Sequence, residues 1–282
     1  MIQSLYLGRV DYAEGLRLQA EAAALVAAGR AQNVLLLLEH PPVLTLGRNA
    51  NRANILASQD LLRRRGVAVH EINRGGDVTY HGPGQLVGYP IFDLRTLRAA
   101  SGSRLGPVDF VRRMEEALIR LCGAYGVSAG RICKLTGVWC HLSPSPEFPS
   151  HQPPSAGARK IAAIGIHVAR GITSHGFAFN VTTDLRDFDL IVPCGIRDHA
   201  VTSLEREVAQ PAELPGLETI ARQTARFFGQ VFGEQVQTVE SVQALRAQAA
   251  PAQPQSAAED TPLVVPVELE RLRGAAERPV KA

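Results

Sequence analysis

Cys194 is the cysteine whose surroundings in this 282-residue chain best suit a reactive thiol. It stands between Pro193 and Gly195, at the end of the apolar run DLIVPCGI, where the chain must turn. A thiol in such a turn can be exposed and flanked by free backbone N–H groups. Cys122, by contrast, falls on the apolar stripe of a predicted helix and is expected to be a core residue. Cys194 is therefore the candidate nucleophile.

Lys160 is the candidate partner of that thiol. Only three lysines occur among the 30 basic residues, and a lysine amine can release its proton whereas arginine cannot. An ammonium beside a thiol favours the thiolate, and the neutral amine can later act as a base. A cysteine and a lysine of this kind suit acyl transfer from a thioester to an amine. Lys160 alone is weak evidence, because most lysines at a strand edge are ordinary cations.

The segment before Cys194, ARKIAAIGIHVARGITSHGFAFNV, predicts a β-hairpin that turns near Arg170–Gly171. Ile164 then faces Phe177 on a bulky side. Paired residue numbers sum to roughly 341 in this register, which places small residues opposite each other on the other face: Ala163, Gly165, Gly176 and Ala178. Opposed glycines indicate close approach of a ligand or of another backbone. We expect this bare face to form the wall of a ligand slot, and tight packing against a helix is the alternative.

The same hairpin brings Lys160 towards Cys194. Its return strand ends beside its starting point and leaves only a short loop before the cysteine. Strict alternation, however, puts Lys160 on the bulky face. Either a bulge intervenes or Lys160 precedes the regular strand.

Residues 74–85, RGGDVTYHGPGQ, predict a long glycine-rich connection between two strands. A hairpin turn needs only about two to five residues, so the backbone of this longer loop is expected to hold a ligand. His81 within the loop could equally contact a substrate or brace the loop.

The remaining pattern predicts the elements that position these residues. Amphipathic helices are predicted at 11–29, 107–125 and 215–233, and a short helix at 59–66. Strand patterns are more numerous and cluster in hairpins, which indicates the α+β class.

Two segments have few core-forming residues. Residues 143–158 contain five prolines and are predicted to be a flexible insertion. Residues 249–282 are rich in Ala, Pro and Gln and are predicted to be a disordered tail. The catalytic domain is therefore expected to span 1–248.

Composition narrows the class of protein. The chain is 45% hydrophobic, its longest apolar run (VLLLL) is far too short to cross a membrane, and no secretion signal is recognisable at its start. A cytoplasmic protein without membrane association is expected. The net charge of +3 lacks a long basic stripe with interleaved aromatics, so no nucleic-acid partner is expected. The four cysteines form no C-x-x-C pair, so neither a metal site nor a disulfide framework is favoured.

Four ordered motifs closely resemble those of the lipoyl(octanoyl) transferases: RGGDVTYHGPGQ, K-I-x-x-I-G-I from Lys160, SHGFAFNV, and the P-C-G around Cys194. The resemblance covers roughly residues 1–245. It implies the mixed, mostly antiparallel sheet with flanking helices of biotin and lipoate protein ligase catalytic domains. It also implies transfer of an octanoyl group from acyl carrier protein to a lysine of a lipoyl domain.

The resemblance assigns roles to individual residues. It implies that Cys194 forms the acyl thioester and that Lys160 favours the thiolate and exchanges protons. The substrate-binding residues that it implies fall in three segments: Arg74, Gly75, Gly76, Asp77, Val78, Thr79, Tyr80 and His81; Ala163, Ile164 and Gly165; and Gly176, Phe177 and Ala178.

The implied donor is octanoyl-acyl carrier protein, and the implied acceptors are the lipoyl domains of 2-oxoacid dehydrogenases and the glycine cleavage H protein. No cofactor is expected, neither ATP nor a metal, because a thioester is already activated. Two other interpretations remain open. An ATP-dependent lipoate or biotin ligase is disfavoured by the P-C-G motif and the lack of a G-x-x-x-x-G-K-[ST] segment. A non-catalytic protein that docks acyl carrier or lipoyl domains is the other.

Overall fold

The computed structural model describes residues 1–99, 102–142, 157–195 and 200–248. Its helices are α1 (Tyr12–Ala27), α2 (Gln59–Arg64), α3 (Pro107–Ala124), α4 (Leu204–Glu207), α5 (Leu217–Phe232) and α6 (Val242–Gln248). Its strands are β1 (Ile2–Arg9), β2 (Asn33–Glu39), β3 (Val43–Leu46), β4 (Ala68–Glu71), β5 (Val78–His81), β6 (Gln85–Ile91), β7 (Ala129–Ile132), β8 (Leu135–Cys140), β9 (Arg159–Ala169), β10 (Ile172–Asn180), β11 (Ala200–Val201) and β12 (Val236–Thr238).

Most of these strands form one large mixed sheet. Its order is β12-β1-β2-β6-β10-β9-β8-β7, and β11 adds to β9. Neighbours from β2 to β7 along this order run antiparallel, whereas β1 runs parallel to β2 and to β12. A second, small sheet has the order β4-β3-β5. The predicted α+β class with a mixed, mostly antiparallel sheet and flanking helices is confirmed.

The large sheet has helices on both faces because its central strands are apolar on both sides. Leu35 and Leu37 of β2 belong to a core cluster with the apolar sides of α3 and α5. Leu36 and Leu38, which point the opposite way, belong to a second cluster with α1. The unbroken VLLLL run is thus a strand buried on both faces.

The helix boundaries follow local signals. The Asp11 side chain accepts a hydrogen bond from the Ala13 N–H (2.9 Å), which caps α1, and Gly29 follows its end with a left-handed backbone. Glu14 pairs with Arg17 instead of completing a capping box. None of the helices in the described ranges is long and apolar enough to cross a membrane.

The glycine-rich segment 74–85 differs from the prediction of one long loop. Its V-T-Y-H residues form β5, which pairs antiparallel with β3, so only short turns flank the strand. β-branched and aromatic residues favour an extended backbone, and that preference outweighs the surrounding glycines. Alternation along β5 then separates its side chains: Val78 and Tyr80 enter the core of the small sheet, and Thr79 and His81 point the other way.

The two segments predicted to be a flexible insertion and a disordered tail lie almost wholly outside the described residues. This applies to 143–156 and to 249–282. Ala158, the last residue of the predicted insertion, is buried beside Ile132 and Trp139.

Candidate active site

The β9–β10 hairpin has the predicted register. Gly165 pairs with Gly176, and Ile164 pairs with Phe177. The small residues admit another stretch of backbone: the Gly75 N–H donates to the Ile166 carbonyl (2.9 Å), and a Cβ on Gly165 would lie 2.6 Å from the Gly75 carbonyl oxygen. The approaching backbone belongs to the glycine-rich segment and not to a helix, and a cavity opens beside it.

A bulge places Lys160 on that face. Val138 of β8 pairs with Ala162, but the next residue, Trp139, pairs with Lys160, so Ile161 is an extra residue in β9. The lysine is 7% exposed and its Nζ lies 4.7 Å from the centre of a Trp139 ring. A Cβ on Gly137 would lie 2.5 Å from the Ala162 carbonyl oxygen and 3.2 Å from Lys160 Cε, and the backbone there has φ 127°, so glycine is needed at this position. Of the two alternatives for Lys160, the bulge is the one observed.

Cys194 sits in a strained turn. Its backbone is left-handed (φ 55°, ψ 21°), which is uncommon for a residue with a side chain, and Gly195 follows with φ 69°. A Cβ on Gly195 would lie 2.6 Å from Asp77 Oδ2. Asp77 Oδ1 accepts hydrogen bonds from the N–H groups of Asn51 (3.0 Å) and Val78 (2.7 Å). Asp77 thus ties the cysteine turn to the glycine-rich segment.

The strand after the cysteine brings this turn to Lys160. Val201 of β11 pairs with Lys160, and the Thr202 N–H donates to the Lys160 carbonyl at 2.9 Å. Lys160 and Cys194 line the same cavity as a result.

The other cysteines differ from Cys194 in exposure. Cys122 and Cys140 are buried, and burial raises the pKa of both thiols, that of Cys140 to about 12. Cys133 is exposed and lies at the β7–β8 turn, whereas Cys194 is partly exposed at the cavity. Burial therefore disfavours a thiolate at Cys122 and Cys140.

The cavity has a volume of about 280 Å³. The structure gathers most of the predicted site residues around it: Arg74, Gly76, Asp77, Thr79, His81, Lys160, Ala163, Ile164, Gly165, Gly176, Phe177, Ala178 and Cys194. Three others do not line it. Gly75 lies against β9, Val78 is in the small-sheet core, and the Tyr80 hydroxyl donates to Asp187 at 2.6 Å.

Arg74 is buried in the cavity wall, with 8% of its surface exposed. Its guanidinium donates to the carbonyls of Thr45 (2.7 Å) and Gly75 (2.9 Å) and to the Thr45 hydroxyl (3.0 Å). All three acceptors are neutral. Within the four described ranges, no carboxylate forms a salt bridge with Arg74.

His81 is uncharged and is held in place by a hydrogen bond to Gln85. Its Nδ1–H donates to Gln85 Oε1 (2.8 Å), and the Gln85 amide donates in turn to Asn180 Oδ1 (3.0 Å). The Asn180 amide donates to the Thr202 carbonyl (2.9 Å), which completes a one-directional chain from β5 to the residue after β11. Burial lowers the pKa of His81 to about 3, so Nε2 is an acceptor and cannot donate to a substrate.

Further lining residues were missed from the sequence: Tyr12, Tyr89, Lys134, Leu135, Thr136 and His175. They come from the start of α1, from β6, from the β7–β8 turn and the start of β8, and from β10, so only the tertiary fold brings them together. His175 alone had a local signal, because it directly precedes Gly176 in the hairpin motif.

The buried histidines His40 and His175 and the buried tyrosine Tyr89 carry no charge. The His40 Nδ1–H donates to the Val10 carbonyl (2.6 Å), so Nε2 accepts from the Tyr89 hydroxyl (2.7 Å). Burial lowers the pKa of His40 and of His175 to about 4 and raises the pKa of Tyr89 well above its usual value. These three side chains are therefore polar and neutral at pH 7.

The fold and the site together define an α+β domain whose cavity holds a thiol and a buried lysine. Among solved structures, a bipartite lipoate protein ligase from Thermoplasma acidophilum has a TM-score of 0.62 at 16% identity, covering 88% of this chain and 91% of that one. Lipoate-protein ligase A bound with ATP has a TM-score of 0.60 at 14% identity, covering 88% and 93%. By fold, the chain has the architecture of the lipoate protein ligases.

Sequence comparison is more specific. The lipoyl protein ligase A/B catalytic domain matches residues 11–225. An octanoyltransferase of Acidobacterium capsulatum is 58% identical over 86% of this chain and 94% of its own length, and one of Koribacter versatilis is 50% identical over 86% and 88%. The chain therefore belongs to the lipoyl protein ligase A/B catalytic-domain family, within which it is a member of the octanoyltransferases, a family of acyltransferases.

Proposed function

We propose that this protein transfers an octanoyl group, in the cytoplasm, from octanoyl-acyl carrier protein to a lysine of lipoyl domains, through a thioester on Cys194. The observation that carries the proposal is the placement of Cys194 and the bulged Lys160 on one cavity beside the bare hairpin face. The lipoyl domains of 2-oxoacid dehydrogenases and the glycine cleavage H protein are the acceptors. The names of the related octanoyltransferases support the acyl group chosen here.

The first half-reaction acylates the cysteine. The Cys194 thiolate attacks the carbonyl carbon of the donor thioester, and the carbonyl oxygen becomes an oxyanion. The oxyanion collapses, the carbon–sulfur bond to the carrier breaks, and the carrier thiolate takes a proton from the Lys160 ammonium. Lys160 is then neutral and Cys194 carries the octanoyl group.

The second half-reaction uses the neutral lysine as a base. The acceptor amine attacks the thioester carbon, and Lys160 takes the proton that the nitrogen must lose. The second oxyanion collapses with cleavage of the bond to Cys194, which regenerates a thiolate beside an ammonium. Protons and charges balance over the cycle without a nucleotide.

The acyl chain has an apolar surface to occupy. Leu135, Ile164, Phe177 and Ala178 contribute to the cavity beside the reactive pair. Each buried CH₂ stabilises binding by about 0.8 kcal/mol, so a shorter acyl chain loses roughly fourfold in affinity per carbon.

The deciding experiment is intact mass spectrometry after incubation with octanoyl-acyl carrier protein. We expect one added octanoyl group, absent from Cys194→Ala and retained in Cys122→Ala, Cys133→Ala and Cys140→Ala. Addition of a lipoyl domain should discharge the enzyme and acylate one acceptor lysine. Transfer by Cys194→Ala near the wild-type rate would overturn the proposed thioester.

The same assay separates the two other interpretations. An ATP-dependent ligase would acylate a lipoyl domain from free octanoate and ATP, and it would not need Cys194. A docking protein would bind the carrier or the lipoyl domain and gain no mass.

A further inference from the structure

Arg74 is a buried cation whose hydrogen bonds all go to neutral oxygens. Burying a charge away from water is costly even after relaxation, and the carboxylate that would usually offset this does not pair with it in the described part of the chain. Asp77 acts electrostatically on Arg74, but its carboxylate accepts hydrogen bonds from Asn51, Asn54 and Val78. The arrangement therefore suits a negative charge that arises during the reaction.

Three glycines lie against the Arg74 side chain at the cavity wall. A Cβ on Gly47 would lie 2.8 Å from Arg74 Nη1, and one on Gly76 would lie 3.4 Å from the same atom. A Cβ on Gly165 would lie 3.4 Å from Arg74 Cδ. Only the Cβ on Gly47 would come closer to Arg74 than ordinary contact, so glycine at that position leaves room for the Arg74 guanidinium.

Arg74 and Cys194 line the same cavity, so a thiolate formed at Cys194 is an anion within reach of the Arg74 charge. Burial lowers the pKa of Arg74, and Cys194 has the largest of the opposing effects, ahead of Tyr12 and Asp77. Tyr12 is protonated at neutral pH because burial raises its pKa, and the cavity histidines are neutral. The other cavity cations are Lys160, which exchanges its proton, and Lys134, which is exposed to water.

We propose that Arg74 is the permanent cation of this site and stabilises the Cys194 thiolate and the oxyanions of both half-reactions, whereas Lys160 carries the proton. The inference rests on the proposed function. Lys160 is neutral in the acyl-enzyme, because its proton has left with the carrier thiol, so it supplies no charge to the second oxyanion. Arginine keeps its proton throughout. No proton moves to or from Arg74.

The test titrates the thiol without any acyl substrate. Iodoacetamide alkylation of Cys194 is followed against pH by peptide mass spectrometry, in a Cys133→Ala background that removes the exposed competitor. Arg74→Gln keeps amide donors for Thr45 and Gly75 but loses the charge. We expect the pH midpoint of alkylation to rise by about one unit or more, the usual effect of removing an adjacent opposite charge.

Arg74→Lys restores a positive charge and should keep the midpoint within about half a unit of the parent. Arg64→Gln removes an exposed cation of α2 that does not line the cavity, and it should leave the midpoint unchanged. If Arg74→Gln does not fold, as judged by circular dichroism, the lysine variant still decides, because a large upward shift in Arg74→Lys would overturn the proposal. An unchanged midpoint in folded Arg74→Gln would overturn it too.

Single-turnover rates of the two half-reactions provide a second test, which addresses the oxyanions. Both half-reactions of Arg74→Gln should fall together, by about 10²-fold or more, as is typical of losing oxyanion stabilisation. A change confined to one half-reaction contradicts the assignment. Failure of octanoyl transfer in the wild type would refute the proposed function but leave the alkylation result intact.

Discussion

Replacing Gly165 by alanine tests whether the hairpin face must be bare. The new Cβ would lie 2.6 Å from the Gly75 carbonyl oxygen, whereas ordinary contact begins near 3.4 Å, so the Arg74–Gly75 backbone must retreat by about 0.8 Å. That movement strains the hydrogen bond from the Gly75 N–H to Ile166 and shifts Arg74, whose Cδ is also in contact.

The expected magnitudes follow from this displacement. Overpacking of this size costs about 1–3 kcal/mol, which corresponds to a fall in Tm of roughly 2–4 °C per kcal/mol in a domain of this length. A misplacement near 1 Å at a reacting centre can cost about 10²-fold in rate. Calorimetry and octanoyl transfer to a lipoyl domain measure the two effects.

Gly123→Ala is the matched control, because Gly123 is exposed on α3 and a Cβ there meets nothing within 4 Å. It should raise stability by about 0.5–1 kcal/mol, since alanine favours a helix over glycine. A Gly165→Ala protein with the wild-type Tm and rate would refute the reasoning about close backbone approach.

Three further predictions concern the base, the histidines and the tail. Lys160→Arg should still form the acyl-enzyme but pass its acyl group on about 10²-fold more slowly, and an unchanged single-turnover rate from isolated acyl-enzyme would show another proton route. The pKa values of His40, His81 and His175 in the folded protein lie below the usual 6.5, so their contribution to the free energy of unfolding is fully present above pH 6.5. That free energy should fall from pH 6.5 to 4, by up to about 1.4 kcal/mol per histidine and pH unit. Urea unfolding followed by the fluorescence of the single tryptophan should show the decline, and a flat profile contradicts it. Removal of 249–282 should leave soluble, active protein by gel filtration and transfer assay, whereas truncation at 240 should not, because it also deletes α6 and its buried Leu245.

The hairpin could be predicted in detail because its pattern has one consistent solution. A one-residue slip would pair glycines with bulky residues and turn the side chains of one strand to the opposite face. The side of the strand on which Lys160 lies could not be decided, because the bulge at Ile161 depends on how β8 pairs with β9 and has no signal of its own.

For the glycine-rich segment, the sequence indicated a functional site but not the local structure. Its motif indicated a ligand site, and five of its twelve residues line the cavity, but the strand β5 within it was not predicted because glycines surround it. Tyr12 of α1 and Tyr89 of β6 also line the cavity, although the sequence predicted only a helix and a strand there and no part of the site. Side chains that a cavity collects from distant elements are defined by the packing of those elements, which a single sequence does not specify.

The pairing of β12 with β1 has a consequence for how the protein is made. Ile2 pairs with Val236, so β1 is synthesised long before its partner strand β12. Until then the outer edge of β1 presents unpaired N–H and C=O groups, to which other strands can add. Such a long-range contact is also slow to form, so the nascent sheet is most open to misassociation during synthesis. The β12-facing edge of β1 is therefore a part of the large sheet that stays unpaired until late in synthesis.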